Sequence, residues 1–169
     1  MSQLEWSESL ALGLPAMDDT HREFVDLLGQ VALAADAALT VRWAALIAHT
    51  QDHFGREDQW MQSTGFSSSN CHSTQHTVVL QVMREGLAQA QAGDFGVVRH
   101  MAHELGQWFA QHAQSMDAAL ALHLRSTGFD PQTGVVHMPQ SLAGAAVQGC
   151  GGAGCSDLRR AAVPVAEAA

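Results

Sequence analysis

Five histidines and two carboxylates hold the chemistry that this sequence offers. They are His21, His53, Glu57, His72, His76, His112 and Asp117. Imidazole nitrogens and carboxylate oxygens are common donors to transition-metal ions. His53 and Glu57 lie four residues apart, as do His72 and His76. On a helix that spacing stacks two side chains on one face, ~5–6 Å apart at Cβ, within reach of one metal cluster. Seven donors are too many for a single zinc but suit two irons that share bridging groups. A lone histidine pair at this spacing is weak evidence. Three pairs plus His21, one group per helix, are much harder to reach by chance.

Positioning these donors takes four helices. The first is predicted from Asp18 or Asp19 to about Ala38, with Phe24, Leu27, Leu28, Val31 and Leu39 marking a buried face. The second follows Thr40, carries His53 and Glu57, and stops at Gly65, where Phe66 is placed to close a glycine cap. The third starts after Asn70, holds His72 and His76, and ends near Gly93. The fourth runs from about Asp94 to Arg125 and ends in Ser126-Thr127-Gly128-Phe129, nearly repeating Ser63-Thr64-Gly65-Phe66. Short links between long amphipathic helices favour antiparallel neighbours, hence an all-α, up-down-up-down four-helix bundle. Ahead of it, residues 1–17 read as an extended N-terminal arm pinned by Trp6 and Leu10. The bundle is assigned to residues 1–129. Residues 130–169, rich in Gly and Ala, read as a flexible, disordered C-terminal tail.

One spacing conflicts with a regular helix. His112 and Asp117 are five residues apart, and such residues diverge by ~140° around an α-helix. For both to face one cluster, the fourth helix is predicted to widen into a π-type turn between them.

The totals exclude several classes of function. The chain has 169 residues, 47% of them hydrophobic, and a net charge of −9, so phosphate backbones should be repelled and no nucleic-acid partner is expected. No apolar run approaches the ~20 residues needed to span a bilayer, so no membrane partner is expected. The N-terminal stretch carries acids where a secretory signal needs basic residues, which points to the cytoplasm. Three cysteines do not make a disulfide framework in a chain of this size. With no tyrosine, tyrosyl-radical chemistry is excluded.

The donors also fall in recognisable stretches: Met17-Asp18-Asp19-Thr20-His21, His53-Phe54-Gly55-Arg56-Glu57-Asp58, His72-Ser73-Thr74-Gln75-His76, and Trp108-Phe109-Ala110-Gln111-His112 leading to Asp117. In these the chain resembles the hemerythrins over roughly residues 1–125. Many relatives have a second glutamate where this chain has Asp58, which is not a ligand position. The resemblance implies a di-iron centre: two non-heme Fe ions with an oxo or hydroxo bridge. His72, His76 and His112 would bind one iron, His21 and His53 the other, and Glu57 and Asp117 would bridge them. Counting bonds then fills six positions on the first iron and leaves the second five-coordinate, with a place for O₂.

Ligand type argues for binding over oxidation of a substrate. Oxygen-activating bundles use carboxylate-rich sites with Glu-x-x-His motifs, which are absent here. Five neutral imidazoles stabilise high-valent iron less than a carboxylate set would. Reversible binding of O₂ for storage, delivery or buffering, without enzymatic turnover, is therefore expected. The alternatives are a di-iron enzyme or sensor acting on peroxide or nitric oxide, or an iron-supplying repair protein. Trp108 and Phe109, about one turn before His112, are expected to wall the oxygen pocket. His49 is read as solvated helix surface, and His100, His103 and His123 as surface or half-buried positions. Cys71 is read as passive. Cys150 and Cys155 fall in the tail.

Overall fold

The computed structural model describes residues 4–66 and 71–138. Helices dominate it: α1 (Pro15–Ala32), α2 (Asp36–Thr64), α3 (Cys71–Gln91), α4 (Phe95–His112), a five-residue π turn (Ala113–Asp117) and α5 (Ala118–Ser126). The segment α4–π–α5 runs on as the fourth bundle helix. α1 packs on α2 and α4, and α3 packs on the same two, closing the antiparallel four-helix bundle. No helix among the described residues is long and apolar enough to cross a membrane.

Where the helices start differs from expectation, for local reasons. α1 opens at Pro15, not at Asp18 or Asp19, because a proline at the first helical position has its φ already set and lacks only an N–H that would go unbonded. Asp18 reaches back instead, its carboxylate accepting from the N–H groups of Leu12 and Gly13 at 2.7 and 3.1 Å. The break between α1 and α2 falls at residues 33–35, and α2 begins at Asp36 rather than after Thr40. Arg99 of α4 holds that corner, donating to Ala34 O at 3.0 Å and Asp36 Oδ1 at 2.7 Å. The stops match the reading. Gly65 and Gly128 both take positive φ, 69° and 60°, and each is followed by a buried phenylalanine. Phe66 N–H closes the first stop on Met61 O at 2.9 Å.

The N-terminal arm contains one 3₁₀ turn, Glu8–Leu10. Leu10 is buried, Trp6 sits under the Arg22 guanidinium at 4.6 Å, and Arg125 donates to Leu12 O. Past α5 the chain makes a small hairpin, β1 (Phe129–Asp130) and β2 (Val135–Val136), paired antiparallel with Phe129 opposite Val136. Asp130 shapes its turn by accepting from Gln132 N–H and Thr133 Oγ1. Regular structure thus extends past Phe129. The rest of the expected tail, from residue 139 on, lies outside the described residues, as do Cys150 and Cys155. Cys71 is not a free thiol.

Two apolar clusters form the core. The larger contains Phe24, Leu28, Leu39, Trp43, Leu46, Leu105 and Phe109; the smaller contains Met17, Trp60, Met61, Phe66, Leu120, Leu124 and Phe129. Along α1, Met17 and Phe24 flank His21; along α2, Ile47 and Trp60 flank His53 and Glu57. A polar layer therefore divides the core across the bundle.

Candidate metal centre

The predicted donors fill that layer. His21 comes from α1, His53 and Glu57 from α2, His72 and His76 from α3, and all seven side chains are buried. His112 ends α4 and Asp117 ends the π turn, in which Ala118 N–H bonds to Ala113 O, five residues back. The widened turn predicted from the five-residue gap is present, and it brings both side chains to one face. Ser115 Oγ donates to Gln111 O at 2.6 Å and so occupies a carbonyl next to the widened turn.

The donors form two overlapping groups. Glu57, His72, His76, His112 and Asp117 make one; His21, His53, Glu57 and Asp117 make the other. Donor atoms within each group lie within 4.8 Å of one another. The two carboxylates belong to both groups and face them with different oxygens. Glu57 Oε1 is 3.1 Å from His53 Nε2, while Oε2 is 3.4 Å from both His72 Nε2 and His76 Nε2. Asp117 Oδ2 is 3.3 Å from His21 Nε2, while Oδ1 is 3.0 Å from His72 Nε2 and 3.1 Å from His112 Nε2.

Whether these residues fit a metal can be judged from their unpaired atoms. The buried side-chain atoms without a hydrogen-bond partner among the described residues are His21 Nδ1 and Nε2, His53 Nδ1, Glu57 Oε2, His72 Nδ1 and Nε2, and both Asp117 oxygens. All belong to the predicted donor set. Atoms such as His72 Nε2 and Asp117 Oδ1 are close yet not aligned to hydrogen-bond. They converge on the space between them, as ligands of a shared ion do. Leaving so many polar atoms unpaired in a core is costly unless something fills that space. The donors fit a metal site.

Protonation shows the same strain. Burial works against a charged His72, yet the Asp117 and Glu57 carboxylates, 3.0 and 3.4 Å from its Nε2, outweigh it and raise its pKa from 6.5 to about 9. Burial likewise opposes ionised Glu57 and Asp117, but the surrounding histidines hold both well below the usual carboxylate range. A metal ion would take over this work, because ligand imidazoles must be neutral and cations offset the carboxylates.

The residues around the donors differ between the groups. On the three-histidine side, Asp58 Oδ1 accepts from His76 Nδ1 at 3.1 Å, and Gln75 Oε1 accepts from His112 Nδ1 and Trp108 Nε1, both at 3.2 Å. Trp108 stacks on His112 with ring centroids 4.4 Å apart, and Phe54 stacks on His76 at 3.9 Å. On the two-histidine side, Phe109 meets the His21 ring edge-on at 5.1 Å and stacks on Phe24 at 4.1 Å. The expected pocket wall thus divides: Phe109 lies beside His21, whereas Trp108 backs a histidine of the other group.

Sequence reasoning missed Gln75, and set Asp58 aside because it is not a ligand. Their only signal was adjacency, to His76 and Glu57 respectively. His49 proves largely covered, with Nε2 3.2 Å from Thr20 O. His123 is buried and bonds Thr64 O at 3.0 Å, closing the end of α2. Two surface cavities lie elsewhere, one lined by Val78, Val82, Met101 and Trp108 between α3 and α4, the other beneath the N-terminal arm.

Fold and site together define a metal-binding four-helix bundle with a buried histidine and carboxylate cluster. The comparisons name its family. The model of the Hemerythrin HHE cation binding domain matches residues 12–122, and the chain belongs to the hemerythrin family. A bacteriohemerythrin of Ralstonia nicotianae is 39% identical over 130 residues, covering 77% of this chain and 95% of that protein. Bacteriohemerythrins of Stenotrophomonas maltophilia and Pseudomonas aeruginosa are each 25% identical, over 142 and 122 residues. These alignments cover 79% and 70% of this chain, and 92% and 79% of the relatives. No solved structure gives a significant match.

Proposed function

We propose that this chain holds two iron ions and binds O₂ reversibly, as a cytoplasmic storage, delivery or buffering protein and not as an enzyme. His72, His76 and His112 bind one iron, His21 and His53 the other, and Glu57 and Asp117 bridge. The observation that supports this most is that each carboxylate turns one oxygen to each histidine group. A pair of ions sharing two carboxylates needs that arrangement, and a single ion does not.

The uneven histidine count gives the ions unequal surroundings. When bound, the iron pair supplies the two electrons that O₂ takes up and gives back. The chain supplies the rest. Asp58 and Gln75 fix two imidazoles of the crowded side by accepting their Nδ1 protons, which sets Nε2 as the donor. Phe109 and Phe24 cover the less crowded side with apolar rings, keeping water and protons from the ligand. Few carboxylates in the donor set disfavour the high-valent iron that substrate oxidation requires.

Anaerobic loading with Fe²⁺, metal analysis and optical titration with O₂ test the reading. Two irons per chain and a saturable O₂-dependent absorbance are expected. One tightly held zinc per chain, or two irons indifferent to O₂ but turning over peroxide or nitric oxide, would replace it.

A further inference from the structure

The Nδ1 atoms of His21 and His53 have no acceptor among the described residues, whereas those of His76 and His112 do. Metal sites usually fix a ligand imidazole through its second nitrogen. The two-histidine side must be held in another way.

Residue 20, immediately before His21, supplies it. His49 Nε2 lies 3.2 Å from the Thr20 carbonyl oxygen. A carbonyl only accepts, so Nε2 carries the proton and donates. Arg56 Nη2 donates to Thr20 Oγ1 at 3.1 Å, and that hydroxyl in turn donates to Ala16 O at 2.8 Å. Thr20 is buried. His49, His53 and Arg56 recur at i, i+4 and i+7, so one face of α2 carries a ligand flanked by both donors to Thr20. The His49 ring also sits 6.5 Å from Phe24 and 6.3 Å from His53, filling the seam between α1 and α2.

We propose that His49 and Arg56 are positioning residues for His21, locking α1 against α2 at the residue beside the ligand; this rests on the dinuclear reading above. Metal–ligand distances tolerate only ~0.2 Å. A small slide of α1 would therefore pull His21 from the site while the three-histidine side, with its own Asp58 and Gln75, stays intact. The Glu23 carboxylate near His49 Nδ1, at 3.7 Å and largely exposed, adds little.

The test is stepwise iron loss. Wild type and variants are loaded anaerobically with Fe²⁺, and release to a ferrous chelator is followed with time. In the double variant His49→Leu/Arg56→Met, half of the iron should leave about tenfold faster, the loss expected from two partly exposed hydrogen bonds. The other half should leave at the wild-type rate. His49→Gln, which returns a donor near the Nε2 position, should restore most of the delay in the Arg56 wild-type background. Arg99→Ala, which removes a comparable surface clamp at the α1–α2 corner, should change neither phase. If the double variant fails to fold, His49→Leu alone should show the same split at about threefold.

Release of both halves at the wild-type rate overturns the inference, as does equal acceleration of both or a His49→Gln variant indistinguishable from His49→Leu. These outcomes leave the dinuclear reading standing if wild type holds two irons. A wild type holding fewer overturns that reading and this inference with it.

Discussion

The two sides of the metal centre share a pair of carboxylates and little else. The three-histidine side is tied outward at two of its three rings: His76 to Asp58 and His112 to Gln75, with Phe54 and Trp108 stacked on them, while His72 Nδ1 has no partner among the described residues. On the two-histidine side both Nδ1 atoms are bare, and the rings face Phe109, which Phe24 backs. Fixed imidazoles suit an ion that only has to stay. Apolar rings around fewer donors suit an ion that must accept a ligand and exclude water. On the proposed reading, one side holds its ion and the other binds the ligand.

Removing what both sides share should do the most damage. In Glu57→Ala or Asp117→Ala, each side loses a donor, and metal analysis after loading should find iron near background. An Asp117→Ala protein retaining both irons would show that the carboxylates do not bridge. His21→Ala should be milder and one-sided: about half the iron should remain, held by the supported side. No O₂-dependent absorbance should remain, and an unchanged O₂ titration would reverse the assignment.

The pH responses of metal-free and metal-bound protein should run in opposite directions. His72 is raised from 6.5 to about 9 in the folded chain. Its contribution to stability is therefore complete below pH 6.5 and is lost as pH rises through about 9. Glu57 and Asp117 are depressed, so their contribution is complete above their ordinary values of 4.5 and 3.8 and is lost as pH falls. The urea midpoint of metal-free protein should fall from pH 6.5 to 9. Metal affinity should rise over the same span, by up to about tenfold per pH unit, because His72 must shed its proton. A flat midpoint would mean that the carboxylates do not charge His72.

The adjacent aromatics give the finest test. Phe109→Tyr adds a hydroxyl beside His21 with little change of shape, and should speed irreversible oxidation of the oxygenated protein about tenfold. Trp108→Gln acts on the other side and should leave that rate within about twofold while weakening the hold on His112. Equal autoxidation rates in the two variants would erase the distinction.

Much of this was legible before any coordinates. Residues four apart share a helix face whatever the tertiary context, so His53 with Glu57 and His72 with His76 could be paired on sight. The five-residue gap from His112 to Asp117 pointed to a widened turn in the fourth helix, although a long reach by Asp117 or a bend would also have met the spacing. The start of α2 was hidden because Ala34, Ala35, Ala37 and Ala38 all favour helix, and the break is held by Arg99 from another element. The division of labour between Trp108 and Phe109 was hidden too. Neighbouring helix residues point ~100° apart, and only the packed bundle shows that one direction leads to α3 and the other to α1. Gln75 lacked any periodic signal, because an outer hydrogen-bond acceptor need only be near its histidine.

Repeated oxygenation cycles on the reconstituted protein separate reversible binding from turnover. Diferrous protein is exposed to O₂, stripped under inert gas and exposed again, with absorbance and iron content followed throughout. Two irons per chain are expected, with colour that appears with O₂, disappears on its removal and is little diminished over several cycles. Oxidation to a permanently diferric protein within the first cycle, with rapid turnover of peroxide or nitric oxide, would contradict reversible binding.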